Sequence, residues 1–444
     1  MQLFSLAKHY TEGMIFQRNR DILIEGEALV PSEISASLGD DTACITAEAG
    51  HFSIKLPKRE ADCGLVLTIK ACSGETKQTI KLAEIYIGEV WFACGQSNME
   101  WPLHDTDEYR QNPVINANSD LRFYTVGRIT MAESPDFIAN DRDWNFNEDY
   151  GWAGCDEENV IDFSAVGYHF AHTLYEALGV PVGVINCNVG GSSIFSWMPK
   201  NAVTPDIASF WADNPGVLYN NMLERLSAFP ARGMLWYQGE TNAGNESGKV
   251  YAAALEALVG NMKDRQQYHD FAFNYVQIAP FGDSGFPHWA TVNDQMRKFF
   301  LHHPDYAMIT IGDIGCYTDI HPQRKGPIGE RLAYGAMHRY YDLSHEFTGP
   351  IAEKAIRWGD EIHISFIHAA GLHQRLADSG RFELVYDDGT IKEATPIIRD
   401  NAVYLPLPEG PTPEYVRYEF VTYAQVGLYN KYGYPASLFE LRVV

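Results

Sequence analysis

Basic residues are scarce in this 444-residue chain. Its 34 lysines and arginines stand against 58 aspartates and glutamates, for a formal net charge of −24. That balance argues against the basic surfaces that hold nucleic acid or anionic membranes. It says little about a small substrate, because a site's local field can oppose the global one. Cysteine is sparse as well: seven are present, an odd number without a CxxC pair. Neither a disulfide framework nor a zinc knuckle is expected, and the thiols read as reduced and buried. No run approaches the roughly 18 to 20 apolar residues of a membrane span. The N-terminal stretch MQLFSLAKHYTEG lacks the apolar core of a signal peptide, so a cytoplasmic location is expected. P-loop and GxGxxG motifs are missing too, which removes the common signatures of nucleotide binding.

What is present is the composition of a globular protein with sizeable cores, 45% hydrophobic and 13% aromatic. The length predicts two or three domains. Residues 1–83 read as a small β-sandwich: DILIEGEA, HFSIKLP and LVLTIKA are short, partly alternating runs separated by turn residues. From EIYIGEVWFACG the pattern changes. Over 84–345 the strand-like runs VPVGVINCNVGG, ARGMLWYQGE, FAFNYVQIAP and YAMITIGDIG alternate with helical patterns. One of these, SAVGYHFAHTLYEALG, opens on the N-cap candidate Ser164 and stops at Gly179. Such alternation predicts an α/β domain, a parallel sheet covered on both faces. Residues 346–444 turn β-rich again (EIHISFIH, RFELVYDD, AVYLPLPE, YVRYEFVTY) and form a second β module.

Open parallel sheets bind ligands beyond the carboxyl ends of their strands. Reading only those ends yields Gly95-Gln96-Ser97-Asn98, Asn188-Val189-Gly190-Gly191-Ser192-Ser193, Gln238-Gly239-Glu240-Thr241-Asn242 and Asp319-Ile320-His321-Pro322. Each has a bland reading: a serine before a helix is usually an N-cap, a Gly-Gly pair a turn, a loop histidine solvated. Together they supply a hydroxyl, a glycine turn, amide donors and an Asp/His pair, which are the parts of acyl transfer. GQSNM is not GxSxG, which disfavours the α/β-hydrolase elbow. His169 and His172, three apart on a helix, have the spacing of a metal pair. Without HExxH or a matching carboxylate they read as packed or solvated helix residues, and no metal is expected. Trp101 and Trp197 follow the proposed site loops and are expected in the wall of the substrate cleft. Trp236, within a strand, reads as core.

The blocks GEVWFACGQSNMEW, NVGGSSIFSWMP, WYQGETNAG and DIHPQRKGPIGERLA resemble those of the sialate O-acetylesterase family. That family is a carbohydrate acetylesterase branch of the SGNH hydrolases. The likeness extends to YTEGMIFQRNRDILIEGEA near the start and YVRYEFVTYAQVGLYNKYGYPASLFE near the end, and so covers nearly the whole chain. It implies a flavodoxin-like three-layer α/β/α domain with β accessory domains. It also implies Ser97 as nucleophile and His321 as base, with the Ser97 N–H and that of Gly190 or Gly191 in the oxyanion hole. Gln238 is the expected third donor, with Asn242 as the fallback. Gln96 and Glu240 are expected to join Trp101 and Trp197 at the substrate. The usual fourth block, Asp-x-x-His, is not met: Thr318 lies three before His321, and Asp319 two before. Asp319 is the expected orienting acid, Asp313 its competitor, and a Ser-His pair with a backbone carbonyl the third option.

The expected function is therefore removal of O-acetyl groups from carbohydrates by a serine esterase that needs no metal or organic cofactor. The substrates are acetylated sugars or oligosaccharides, with neutral glycans slightly favoured. Arg297 or Arg324 could supply a local cation for an acidic sugar. The rival reading is a carbohydrate-binding protein on a degenerate hydrolase scaffold, which would need neither Ser97 nor His321. Which sugar is deacetylated, and the oligomeric state, are not legible.

Overall fold

The computed structural model describes residues 1–127, 149–210, 215–266, 268–375 and 379–444. Its axis is one long strand, β1 (Thr76–Gly95). The first half pairs antiparallel with the strand Asp62–Ser73 of the N-terminal β module. The second half enters the central sheet. The composition shift expected at 83/84 thus falls inside a continuous strand, and residues of both parts join one apolar core.

The other central strands are β2 (Asn118–Thr125), β3 (Tyr150–Cys155), β4 (Val182–Asn188), β5 (Gly233–Tyr237), β6 (Ala272–Val276) and β7 (Ala307–Ile309). They lie in the order β3-β2-β4-β1-β5-β6-β7. All neighbours are parallel except β3, which runs antiparallel to β2 at the edge. The sheet is therefore mixed rather than purely parallel. Within it, β4-β1-β5-β6-β7 has the 2-1-3-4-5 order of a doubly wound sheet, whose switch point lies at the end of β1.

Period-two alternation along β1 divides its side chains between two cores. Trp91 and Ala93 face one, while Val90, Phe92 and Cys94 face the other. The short helix α1 (Ser97–Glu100) follows β1. The first long helix is α2 (Ala165–Leu178), where Ser164 Oγ accepts the Gly167 N–H and Gly179 closes the helix at φ 62°. Later helices that flank the sheet or its loops include α3 (Glu240–Ala243), α4 (Tyr251–Gln266), α5 (Trp289–His302) and α6 (Gly326–Tyr340). Val166, Phe170 and Leu174 of α2 pack with Ile328 and Leu332 of α6 on one face of the sheet. Leu255 and Leu258 of α4 pack with Val292 and Met296 of α5 on the other. No helix among the described residues is long and apolar enough to cross a membrane.

The described residues of 351–444 form two antiparallel four-stranded sheets and one two-stranded pair, with a separate core that includes Ile364, Leu384, Val403, Val416 and Phe439. This module is anchored by buried polar contacts. Arg297 Nη1 donates to the Ala352 carbonyl at 2.6 Å, and Gln277 Nε2 to Ser437 Oγ at 2.9 Å. Arg297 is buried and also bonded to Asp294, so it is not the substrate cation its sequence position allowed. The thiols divide as well: Cys94, Cys155 and Cys187 are buried, but Cys44 and Cys63 are exposed, and all seven are free.

Candidate active site

The turn after β1 depends on its glycine. Gly95 has φ +145°, and a Cβ there would stand 2.1 Å from the Tyr237 carbonyl oxygen on β5. Only a residue without a side chain lets β1 and β5 close at this point. Ser97 then begins α1, where its N–H has no intrahelical acceptor. Its hydroxyl meets the loop after β7: Ser97 Oγ and His321 Nε2 are 2.8 Å apart. The chain thus places a hydroxyl and an imidazole in hydrogen-bond contact at the switch point of the sheet. Both are half-buried, within reach of a ligand.

Around His321 the contacts are specific. The Trp101 ring stacks on the imidazole at 4.8 Å and 26°, and Trp101 is nearly buried beneath it. Asp319 Oδ1 accepts the His321 backbone N–H at 2.8 Å and lies 3.7 Å from Nδ1. The other carboxylate oxygen accepts from Gln323 Nε2 at 3.1 Å. Asp313, the competing acid, is held by Arg331 through two bonds of 2.8 and 2.7 Å.

Beside Ser97, the turn after β4 brings up Gly190. A Cβ at Gly190 would lie 3.4 Å from Ser97 Cβ and 3.1 Å from Glu100 Oε2. The Gly190 N–H donates to that Glu100 oxygen at 2.6 Å. Gly191 follows, exposed and at φ +72°.

The two amides expected to serve an oxyanion are instead engaged in the scaffold. Gln238 Nε2 has only two hydrogens, yet three acceptors lie within 3.0 Å: Gln96 Oε1, Ser192 O and Asn242 Oδ1. Its Oε1 accepts from the Tyr251 hydroxyl at 2.7 Å. Asn242 Nδ2 donates to Ser193 Oγ and Ser247 Oγ, at 3.0 and 2.9 Å. Both residues pin the β4 and β5 loops together. Gln96, expected at the substrate, belongs to this buried hub. Trp197 does not line a cleft either: it is fully buried, and its ring N–H donates to Ser192 Oγ at 2.9 Å. Glu240 lies beneath the turn, where its Oε1 accepts from Asn98 Nδ2 at 2.6 Å. On α2, burial lowers the pKa values of His169 and His172 to about 4, and His172 Nε2 sits 3.4 Å from Cys155 Sγ. Among the described residues no cluster of three or more potential metal ligands occurs.

Residues 87–337, which carry all of these contacts, match the family model described as "Carbohydrate esterase, sialic acid-specific acetylesterase". The chain belongs to this family. Among curated family relatives, it is 27% identical over 310 residues to the sialate O-acetylesterase of Homo sapiens, across 62% of this chain and 58% of that protein. To the sialate O-acetylesterase of Rattus norvegicus it is 26% identical over 343 residues, across 63% of this chain and 61% of that one. The chain thus aligns with about three-fifths of the length of these curated relatives. Over nearly its full length it resembles the crystal structure of a carbohydrate acetylesterase from Xanthomonas citri. The TM-score is 0.87 at 29% identity, covering 98% of this chain and 99% of the other.

Two site residues escaped the strand-end reading, and a third, Asn98, stood in it without a role. Glu100 belongs to the same GQSNME turn as Asn98, and Lys325 lies four after His321. Each is a polar residue in a block already singled out, next to a candidate catalytic group, and that adjacency was the available signal.

Proposed function

We propose that this family member is a serine esterase that removes O-acetyl groups from sugars or short oligosaccharides. The observation that carries the reading is the 2.8 Å contact between Ser97 Oγ and His321 Nε2 at the switch point of the sheet. In the proposed reaction His321 takes the Ser97 proton as Oγ attacks the acetyl carbonyl carbon. The carbonyl oxygen becomes an oxyanion. Its donors are the Ser97 N–H and the Gly190 N–H, the latter becoming available as the oxyanion displaces the Glu100 carboxylate oxygen that now accepts it. As the carbon–oxygen bond to the sugar breaks, His321 returns the proton to the departing hydroxyl oxygen. Water then attacks the acetyl-serine, again giving a proton to His321, and acetate leaves as Oγ recovers its proton.

An expectation changes with the geometry. Gln238 acts as a brace, because its amide hydrogens already face three acceptors. For sugar contacts, Tyr317 replaces Trp197: it is 60% exposed and stands four residues before His321. Four extended residues span at most roughly 14 Å, so its ring lies within the reach of a short glycan bound at the base. The flavodoxin-like SGNH reading draws support from the strand order, and Asp319 is the acid nearest His321 in its loop.

The test is acetate release from 4-nitrophenyl acetate and from acetylated oligosaccharides. Ser97→Ala is expected to lose about 10³-fold or more on both, with an unchanged melting temperature. A folded Ser97→Ala protein within tenfold of the parent would sink the nucleophile assignment.

A further inference from the structure

Ser97 and His321 come from chain segments 224 residues apart. Their contact requires something to hold the turn after β1 against the loop after β7. One side chain touches both. Asn98, the residue after Ser97, donates from Nδ2 to the carbonyl of Ile320, the residue before His321, at 3.1 Å. The same Nδ2 donates to Glu240 Oε1 at 2.6 Å, and Asn98 Oδ1 accepts from Lys325 Nζ at 2.5 Å. Asn98, Glu240 and Lys325 are all buried, none more than 1% exposed.

We propose that Asn98 is a positioning residue for the reaction, tying the nucleophile's turn to the base's loop, and that Lys325 and Glu240 hold its amide in the one orientation that does so. An asparagine amide can be flipped, exchanging its donor and acceptor ends. Here the flip is blocked by chemistry. Below about pH 7 Lys325 is an ammonium and only donates, so Oδ1 must face it; above that pH the Glu240 carboxylate alone fixes the amide. A carboxylate only accepts, so Nδ2 must face Glu240 and, with it, the Ile320 carbonyl. Lys325 supports the base by a second route: its Nζ lies 5.7 Å from the Trp101 ring, which stacks on His321. Burial draws the Lys325 pKa down to about 7, while nearby Glu240, Asp319 and Glu108 pull it up, and burial raises that of Glu240. Two buried charges at such a place are expensive unless each is paired. That expense is consistent with a constraint the site needs rather than with a stability device.

This inference rests on Ser97 and His321 performing the chemistry, and the test separates the two. With 4-nitrophenyl acetate, Asn98→Ala is expected to lower kcat by roughly 10- to 10³-fold with KM within about threefold, since a misplacement near 1 Å can cost about 10². Labelling of Ser97 by a fluorophosphonate, in which Oγ displaces fluoride, should slow in parallel. A second variant, Lys325→Met combined with Glu240→Gln, keeps the amide but leaves it free to flip. It is expected to lose about 5- to 50-fold in kcat and in labelling rate, again with KM held. Either variant, folded by melting temperature and within threefold of parental kcat, overturns the proposal. So does a loss confined to KM. If Ser97→Ala stays active, the underlying reading fails; if Ser97→Ala is dead while Asn98→Ala is fully active, only this inference does.

Discussion

Asp319 accepts the backbone N–H of His321 at 2.8 Å but stands 3.7 Å from the imidazole Nδ1. The carboxylate therefore shapes the loop more directly than it bonds the ring. Where an aspartate is directly hydrogen-bonded to the base, as in the serine protease triad, its change to asparagine costs about 10⁴ in turnover. A smaller effect is expected here: Asp319→Asn should lower kcat by about 10- to 10²-fold. Asp313→Asn should leave kcat nearly unchanged and lower the melting temperature, because Asp313 serves Arg331. Kinetics and melting of both variants decide it. An inactive but folded Asp313→Asn protein would reverse the assignment.

Gln238→Ala separates a brace from an oxyanion donor. Loss of a donor alone costs about 10²- to 10³-fold in kcat. Loss of the brace takes the amide donor from Gln96 Oε1, Ser192 O and Asn242 Oδ1, and a buried acceptor left unpaired costs about 1–3 kcal/mol of stability. The expected result is a melting temperature lower by several degrees, with the kcat of the folded fraction within about tenfold. A selective kcat loss at unchanged melting temperature would restore the donor role.

Tyr317 packs edge-on against Tyr423 of the C-terminal module at 5.1 Å while remaining mostly exposed. An aromatic face of this kind suits a sugar ring. Tyr317→Ala is expected to raise KM for acetylated oligosaccharides by roughly three- to tenfold, and to leave 4-nitrophenyl acetate hydrolysis as it was. Equal KM for the oligosaccharide in parent and variant would remove Tyr317 from the substrate path.

Lys325 makes a pH prediction with a definite sign. Burial lowers its pKa from the ordinary 10.5 to about 7 in the folded protein. Between those values the unfolded chain holds a proton that the folded chain lacks, so this group makes stability rise with pH across that window, by up to about 1.4 kcal/mol per unit. Below about pH 7 the ammonium is charged in both states, and the full penalty for burying it remains. Lys325→Met should therefore flatten the rise in unfolding free energy from pH 7 to 9 relative to the parent, as read by chemical denaturation. Identical slopes would show that Lys325 keeps its proton through that range.

The local turns were legible from the sequence because their causes are local. A glycine after an apolar run, a serine capping α2 and a Gly-Gly pair after β4 each act within a few residues, so the strand ends and their motifs fall where patterning places them. Helix α5 was missed although its apolar residues Trp289, Val292, Met296 and Phe299 recur at helical spacing, because the charged and polar positions between them interrupt any apolar run. The edge strand β3 was missed for a different reason: its segment, YGWAGC, has little strand patterning of its own and is ordered by pairing with β2.

By itself, the sequence determined the alternation that builds a doubly wound sheet, the glycine without which β1 and β5 could not close, and the hydroxyl and imidazole carried at two strand ends. Only the tertiary structure decided what each polar side chain faces. Gln238 and Gln96 meet across 142 residues, Asn98 and Ile320 across 222, and Lys325 and Asn98 across 227. An amide at a strand end looks the same in sequence whether it points to a ligand or to another loop. Its role follows from which partners the packing of distant segments delivers within about 3 Å, the reach of a hydrogen bond.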